Sequence, residues 1–131
     1  MGKKYVIGVD IGTTATKAVL FEPTGAVVAS HQIEYPLYSP TPDTAEQDPN
    51  EILTAVVSSI NYIVQKADVA YDSILCVSFS SAMHSLIAVD EKGVAMTRCI
   101  TWADNRSAAY TEKVINEMNG HKIYERTGTP M

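Results

Sequence analysis

The sequence is short of the features that mark several protein classes. It has only two cysteines, Cys76 and Cys99, far apart and each inside an apolar run. There is no Cys-x-x-Cys pair and no cysteine–histidine spacing of the kind that holds zinc. That excludes a zinc module and a disulfide framework, and leaves two buried thiols in a reduced, cytoplasmic protein as the expectation. Ten lysines and arginines stand against fifteen aspartates and glutamates, a formal charge of −5. No basic stripe interrupts that balance, which argues against a nucleic-acid partner. No apolar run approaches the roughly 20 residues needed to cross a membrane, so no membrane partner is expected. Met1-Gly2-Lys3-Lys4 leads straight into a short apolar stretch, without the apolar core of a signal peptide. There is no internal repeat and no low-complexity tract.

What is present suits one ordinary folded domain. The chain has 131 residues, 46% hydrophobic and 19% charged. A domain of that length buries roughly two thirds of its unfolded surface, enough for a real core. Residues 5–10 (Tyr-Val-Ile-Gly-Val-Asp) read as a buried strand and residues 16–21 as a second. Gly12 lies between them, so the pair reads as a hairpin. The turn Glu22-Pro23-Thr24-Gly25 leads to a third strand over 26–34. Four prolines fall within residues 35–49, which marks a surface loop, long enough to suggest a functional role.

Asp48 is then placed to cap a helix with Pro49 at its first position. Ile52, Val56, Ile60, Ile63 and Val64 recur at helical spacing, so the helix is expected to run to about residue 67. Residues 73–80 read as a strand buried on both faces. A further strand is expected over 86–90, closed by the Glu91-Lys92-Gly93 turn, and a short one over 95–100. Asp104 or Asn105 then caps a helix with Tyr110, Val114, Ile115 and Met118 on one face, ended by Gly120. A β-meander followed by a crossover helix gives an α/β fold with a mixed sheet. The strand after the helix should lie parallel to the first. That is the ribonuclease H-like arrangement of actin-like ATPases.

Four segments carry chemistry. The first is Asp10-Ile11-Gly12-Thr13-Thr14 with Lys17. A carboxylate at a strand end can face magnesium or its waters. Gly12 lets the backbone turn tightly. Thr13 and Thr14 offer hydroxyls and N–H groups to phosphate oxygens, and Lys17 adds a point charge. A hairpin with a merely polar tip is the bland alternative. The glycine spacing is neither that of a Walker A loop nor of a dinucleotide fingerprint.

The second segment is Ser80-Ser81-Ala82-Met83-His84-Ser85, at the carboxyl end of a strand, where open α/β sheets favour ligands. His84 can hydrogen-bond a sugar hydroxyl and Met83 can pack on a carbon skeleton; equally, the segment could be a loop with a solvated His and a core Met. The third is Thr101-Trp102-Ala103-Asp104-Asn105-Arg106, with the chain's only tryptophan. An indole face suits the apolar side of a sugar, while Asp104 and Arg106 suit hydroxyls or a carboxylate. The alternative is a core Trp102, a capping Asp104 and a surface ion pair for Arg106. The fourth is Glu46-Gln47-Asp48-Pro49, where capping explains Asp48 and Pro49 and leaves Glu46 and Gln47 without an evident task.

Together, in this order, these segments resemble the amino-terminal region of the FGGY carbohydrate kinases. Gly8-Val-Asp-Ile-Gly-Thr-Thr-Ala-Thr-Lys17, Glu46-Gln-Asp-Pro49, Ser80-Ser-Ala-Met-His-Ser85 and Thr101-Trp-Ala-Asp-Asn-Arg-Ser107 carry the resemblance. Trp102-Ala-Asp-Asn-Arg-Ser107 and Arg126-Thr-Gly-Thr-Pro130 look most like gluconate kinases, with xylulose kinases next. The resemblance implies ATP- and Mg2+-dependent transfer of the γ-phosphoryl group to a hydroxyl of D-gluconate, or of xylulose or another polyol.

By position, the resemblance places Asp10 at the metal, and Gly12, Thr13, Thr14 and Lys17 at the transferring phosphate. It places Met83, His84, Trp102, Asp104 and Arg106 around the sugar. Such kinases are several times longer, so residues 1–131 would be a partial first domain. The catalytic base and the adenosine pocket would then lie beyond these residues, and the chain alone would be inactive. A partial domain exposes apolar surface and can self-associate, at the simplest as a homodimer. The competing class is a non-catalytic actin-like module for sugar sensing or assembly. A sensor of that kind usually carries a helix-turn-helix, and none precedes Tyr5; an assembly module has no need of the Met83-His84 and Trp102 segments.

Overall fold

Alternation of apolar residues at a period of two builds the first three strands. The computed structural model describes residues 2–129. Strands β1 (Tyr5–Ile11), β2 (Ala15–Phe21) and β3 (Val27–Glu34) form the antiparallel meander. A short strand β4 (Glu46–Gln47) precedes helix α1 (Pro49–Lys66), and the chain then crosses to β5 (Ile74–Ser81). The main sheet has the order β3-β2-β1-β5, with β5 parallel to β1. This is the mixed sheet with a crossover helix that the sequence predicts.

Helix α1 starts as expected. Asp48 Oδ1 accepts the Asn50 N–H at 2.8 Å, and Pro49 takes the first helical position. A cap of this kind contributes about 1 kcal/mol. The helix buries Val56, Ile63 and Val64 against Ile7, Val9, Ala18, Leu20 and Ala29 of the sheet. Ile60 packs at the margin of that cluster.

One expectation about this sheet is corrected. Strand β5 is exposed along most of its length, not buried on both faces. Its register sets Val77 and Phe79 beside Ile7 and Val9, on the helix side of the sheet. Helix α1 packs mainly over β2 and β3. The edge strand is left without a covering layer among the described residues, and Phe79 is 58% exposed. Cys76 shares this fate and is exposed, whereas Cys99 is buried as expected. Burial pushes the Cys99 thiol above its ordinary pKa.

The proline-rich stretch 35–49 is not a free loop. Tyr35, Thr44, Ala45 and Gln47 are buried, and β4 pairs antiparallel with β6 (Cys99–Ile100). Tyr38 extends this ribbon on one side through a bridge to Glu46, and Leu86 extends it on the other through a bridge to Ile100. The strand expected over 86–90 is reduced to such bridges, at Leu86–Ile100 and Val89–Ala95. The ladder is interrupted inside it, where the Ala88 N–H donates to the Thr97 side-chain Oγ1 at 3.1 Å. The expected turn does form, with Asp90 Oδ1 accepting the N–H groups of Lys92 and Val94.

The carboxy-terminal helix is split. A 3-10 turn at Arg106–Tyr110 leads into α2 (Thr111–Glu117), and α3 (Gly120–Thr127) follows. Asn105 makes no capping bond, but Asp104 Oδ1 accepts the Arg106 N–H at 3.1 Å. Gly120 does not end the helix but opens α3. The left-handed residue is Asn119, at φ +56°, whose side chain caps α3. A Cβ on Gly120 would lie 2.8 Å from Ile115 Cα, so glycine is required by close approach of backbones. Gly120→Ala is expected to destabilise by about 1–3 kcal/mol, as overpacking does, measured by urea unfolding; an unchanged midpoint would show that α2 and α3 separate freely. The Arg126–Pro130 motif is described only as far as residue 129, with Pro130 outside the described residues.

Candidate functional site

The turn between β1 and β2 is three residues, Gly12, Thr13 and Thr14. Gly12 N–H donates to Ala15 O at 2.9 Å, and a Cβ on Gly12 would sit 3.2 Å from that same oxygen. A side chain here would press on that carbonyl, so glycine suits the tight closure of the turn. At its base, Asp10 pairs across the strands with Lys17 on one side and Ser80 on the other. Adjacent cross-strand residues share a face. Asp10, Lys17 and Ser80 line one hollow of about 300 Å³ on the sheet face opposite α1.

Other partners anchor the turn through its carbonyls. The Tyr35 hydroxyl donates to Gly12 O at 2.6 Å and is also bonded to Thr16 Oγ1. Burial raises the Tyr35 phenol pKa, which keeps it a donor at neutral pH. The Gln47 amide, 4% exposed, donates to Thr13 O at 2.6 Å. The Tyr35 N–H donates to Thr14 O at 3.2 Å. Sequence reasoning missed both Tyr35 and Gln47. The available signal was slight: Gln47 is a polar residue beside a helix cap that has no part in capping.

Strand β5 delivers the second segment. Ala82 N–H donates to Ile11 O at 2.9 Å, continuing the ladder beside the turn. His84 then takes φ +62°, a left-handed conformation uncommon for a residue with a side chain. Met83 and His84 line a hollow of about 390 Å³ together with Thr13, Ala82 and Trp102. Met83 is 72% and Trp102 61% exposed, so neither is a core residue here. The Trp102 indole Nε1–H donates to Thr13 Oγ1 at 3.1 Å.

Strand β6 delivers the third segment onto residues 43–47. Thr101 donates to Ala45 O from its N–H at 3.0 Å and its hydroxyl at 2.9 Å. Asp104 Oδ2 accepts the Ala45 N–H at 2.9 Å. Arg106 grips the Asp104 carboxylate through Nε and Nη2, and its Nη2 also reaches Glu46 Oε1 at 2.6 Å. Glu46, without a role in the sequence reading, is thus an ion-pair partner 60 residues away. The Arg106 side chain, then the Ala45 N–H, hold the Asp104 pKa at about 2. Its two carboxylate partners raise that of Arg106. His84, Trp102, Asp104 and Arg106 line a wider cleft of about 720 Å³.

The structure therefore brings Thr13, Met83, His84, Trp102, Asp104 and Arg106 around two hollows that share His84 and Trp102. Asp10 and Lys17 lie in a separate hollow at the base of the same turn. Gly12 lines a fourth with Gln47, and Thr14 contributes its carbonyl to Tyr35. No cluster of three or more metal-binding side chains occurs among the described residues. A lone exposed carboxylate still suits Mg2+, which keeps several waters and binds through one or two carboxylates plus phosphates.

The family profile "FGGY family of carbohydrate kinases, N-terminal domain" matches residues 5–131, so the chain belongs to that family. Over 127 residues it is 53% identical to the gluconokinase of Bacillus licheniformis, covering 97% of this chain and 24% of that one. The solved gluconate kinase from Lactobacillus acidophilus superposes with a TM-score of 0.90 at 41% identity, over 98% of this chain and 26% of that one. A ligand-bound xylulose kinase from the same organism gives 0.85 at 41% identity, over 93% and 24%. The chain spans about a quarter of the length of these relatives. No helix among the described residues is long and apolar enough to cross a membrane.

Proposed function

We infer that this chain is the sugar-facing first part of an ATP- and Mg2+-dependent carbohydrate kinase that phosphorylates gluconate. One observation carries this reading: the Trp102 indole bonds to Thr13, which joins the sugar-type cleft to the phosphate-type turn. The relatives with gluconate kinase names favour gluconate among possible sugars.

The roles are those the family resemblance implies, and the arrangement of the hollows supports them. Trp102 offers an apolar wall to the carbon skeleton, with Met83 beside it. His84 bonds a hydroxyl at the rim, and Asp104, its carboxylate held by Ala45 and Arg106, lines the cleft and fixes Arg106 there. Gly12, Thr13 and Thr14 present backbone and hydroxyl groups to the transferring phosphate, and Lys17 adds positive charge near it. Asp10 would hold the magnesium ion, which when bound neutralises charge on the phosphates. Phosphoryl transfer needs mainly such positioning, so a site without a nucleophile of its own is sufficient. The base for the sugar hydroxyl and the adenosine pocket belong to chain beyond these residues.

A neutral polyol such as xylulose has one observation in its favour. Arg106 already faces two carboxylates, Asp104 and Glu46, so this corner carries a net negative charge that repels a sugar acid. A substrate panel decides between them. The full-length kinase to which this segment belongs should convert gluconate and MgATP to 6-phosphogluconate, while residues 1–131 alone should give no turnover. Gluconate-dependent ATP hydrolysis by the 131-residue chain would overturn the partial-domain assignment. Turnover of xylulose and not gluconate would transfer the assignment to the ketose, and no turnover with any sugar would sink the kinase reading.

A further inference from the structure

We propose that Tyr35, Gln47 and Trp102 form a three-point clamp on the phosphate-type turn and act as positioning residues through Thr13 and its neighbours. This rests on the kinase reading of the same site; it assigns tasks to Tyr35 and Gln47, which that reading leaves idle, and a second task to Trp102.

A trans peptide plane fixes each N–H opposite the preceding carbonyl. Whatever holds the carbonyl therefore aims the next N–H. The Tyr35 hydroxyl holds Gly12 O, so it aims the Thr13 N–H. The Gln47 amide holds Thr13 O, so it aims the Thr14 N–H. Neither Thr13 N–H nor Thr14 N–H donates to another group among the described residues. Two successive unpaired N–H groups, both turned away from their clamped carbonyls, make an anion-binding concavity. Gln47 and Tyr35 are both buried, so their bonds are not competed away by water.

Trp102 completes the clamp at the side chain. A hydroxyl has one proton to give and two lone pairs to accept with. The indole N–H occupies one lone pair of Thr13 Oγ1 and has no use for its proton. The Thr13 hydroxyl proton is thereby left to be donated to a phosphate oxygen. Trp102 also walls the hollow shared with Met83 and His84. A sugar against the indole consequently steadies the bond to Thr13, and sugar occupancy is felt at the phosphate turn. Such coupling is reciprocal: sugar should tighten nucleotide binding by the factor that nucleotide tightens sugar binding.

The test separates ring from N–H. In the full-length kinase, Trp102→Phe keeps an aromatic wall and removes only the donor. It should lower kcat about tenfold, the scale of one lost hydrogen bond, with the sugar KM changed by less than about threefold. Thr13→Val should lower kcat by a comparable or larger factor. The double variant should be no worse than Thr13→Val by more than about twofold, because the indole acts through the hydroxyl. Losses that multiply, or a Trp102→Phe effect confined to KM, would overturn the proposal. Tyr35→Phe, which loses only its hydroxyl, should likewise lower kcat rather than raise KM. In the full-length kinase, the indole N–H resonance that Trp102→Phe removes belongs to Trp102 and reports the contact without substrate. That resonance should move on Thr13→Val, and an unmoved peak would overturn the proposal. If the wild-type kinase turns over no sugar, the kinase reading fails, and the indole resonance still decides whether the clamp exists.

Discussion

Asp10→Ala in the full-length kinase is expected to lower kcat by about a thousandfold or more, at the upper end of what removing one electrostatic contact to a developing charge costs, while sugar binding changes little. The split follows from position. Asp10 faces the hollow at the base of the turn with Lys17 and Ser80, whereas the aromatic wall and the polar rim line other hollows. Removing it leaves Trp102, His84 and Asp104, which line the proposed sugar cleft, in place. It removes the only assigned metal carboxylate and leaves Lys17 without its acidic cross-strand neighbour. Fold stability should be nearly unaffected, because Asp10 is exposed and forms no salt bridge among the described residues. Steady-state kinetics with gluconate, together with calorimetric titration of sugar, checks both halves. Weakened sugar binding with unchanged turnover of bound sugar would remove Asp10 from the metal site and place it at the sugar.

The parts of the fold legible in the sequence are those written in local pattern. Alternating residues 5–11 and 15–21, the Asp48-Pro49 cap and the stripe through Val56, Ile63 and Val64 each state their structure within one or two turns of chain. The motifs around Gly12, Met83 and Trp102 were legible for the same reason. What was not legible depends on distant partners. Nothing local to Glu46 announces Arg106, and nothing local to Gln47 announces the Thr13 carbonyl. Tyr35 reads as one more residue of a proline-rich stretch until its hydroxyl is found on Gly12. The apolar content of β5 reported what the strand can bury, not whether a layer lies outside it. Gly120 shows the opposite failure. Glycine was read as a left-handed terminator, but Asn119 fills that role and Gly120 answers to the Ile115 backbone.

Asp104 should be the most sensitive residue of the sugar-side cleft, because one carboxylate serves three groups. It accepts the Ala45 N–H and the Arg106 N–H and holds the Arg106 guanidinium, with its side chain only 3% exposed. Asp104→Ala leaves the Ala45 N–H without its partner and Arg106 with Glu46 alone. Burying unpaired polar groups is the costly side of hydrogen-bond loss. The ribbon of β4 and β6 should loosen, and with it the rim proposed to receive the sugar. In the full-length kinase kcat/KM for sugar is expected to fall about a hundredfold, the scale of a lost charge-assisted contact, chiefly through KM.

The same carboxylate should leave a mark on stability against pH. Its pKa is lowered from 3.8 to about 2, first by the Arg106 side chain and then by the Ala45 N–H. A folded-state pKa below the unfolded value means that the unfolded chain binds the proton more readily, so stability rises with pH across the interval. The contribution is fully present above about pH 4 and is lost as pH falls toward about 2. Asp104→Asn keeps the size and an acceptor for Ala45 but removes the charge. Its unfolding free energy should therefore lack the part of the acid-limb slope that wild type shows between those values, and run parallel to wild type above them. Superimposable slopes in urea titrations from pH 2 to 4 would mean that Arg106 does not engage Asp104 in solution, and the rim would then have to be held by Glu46 alone.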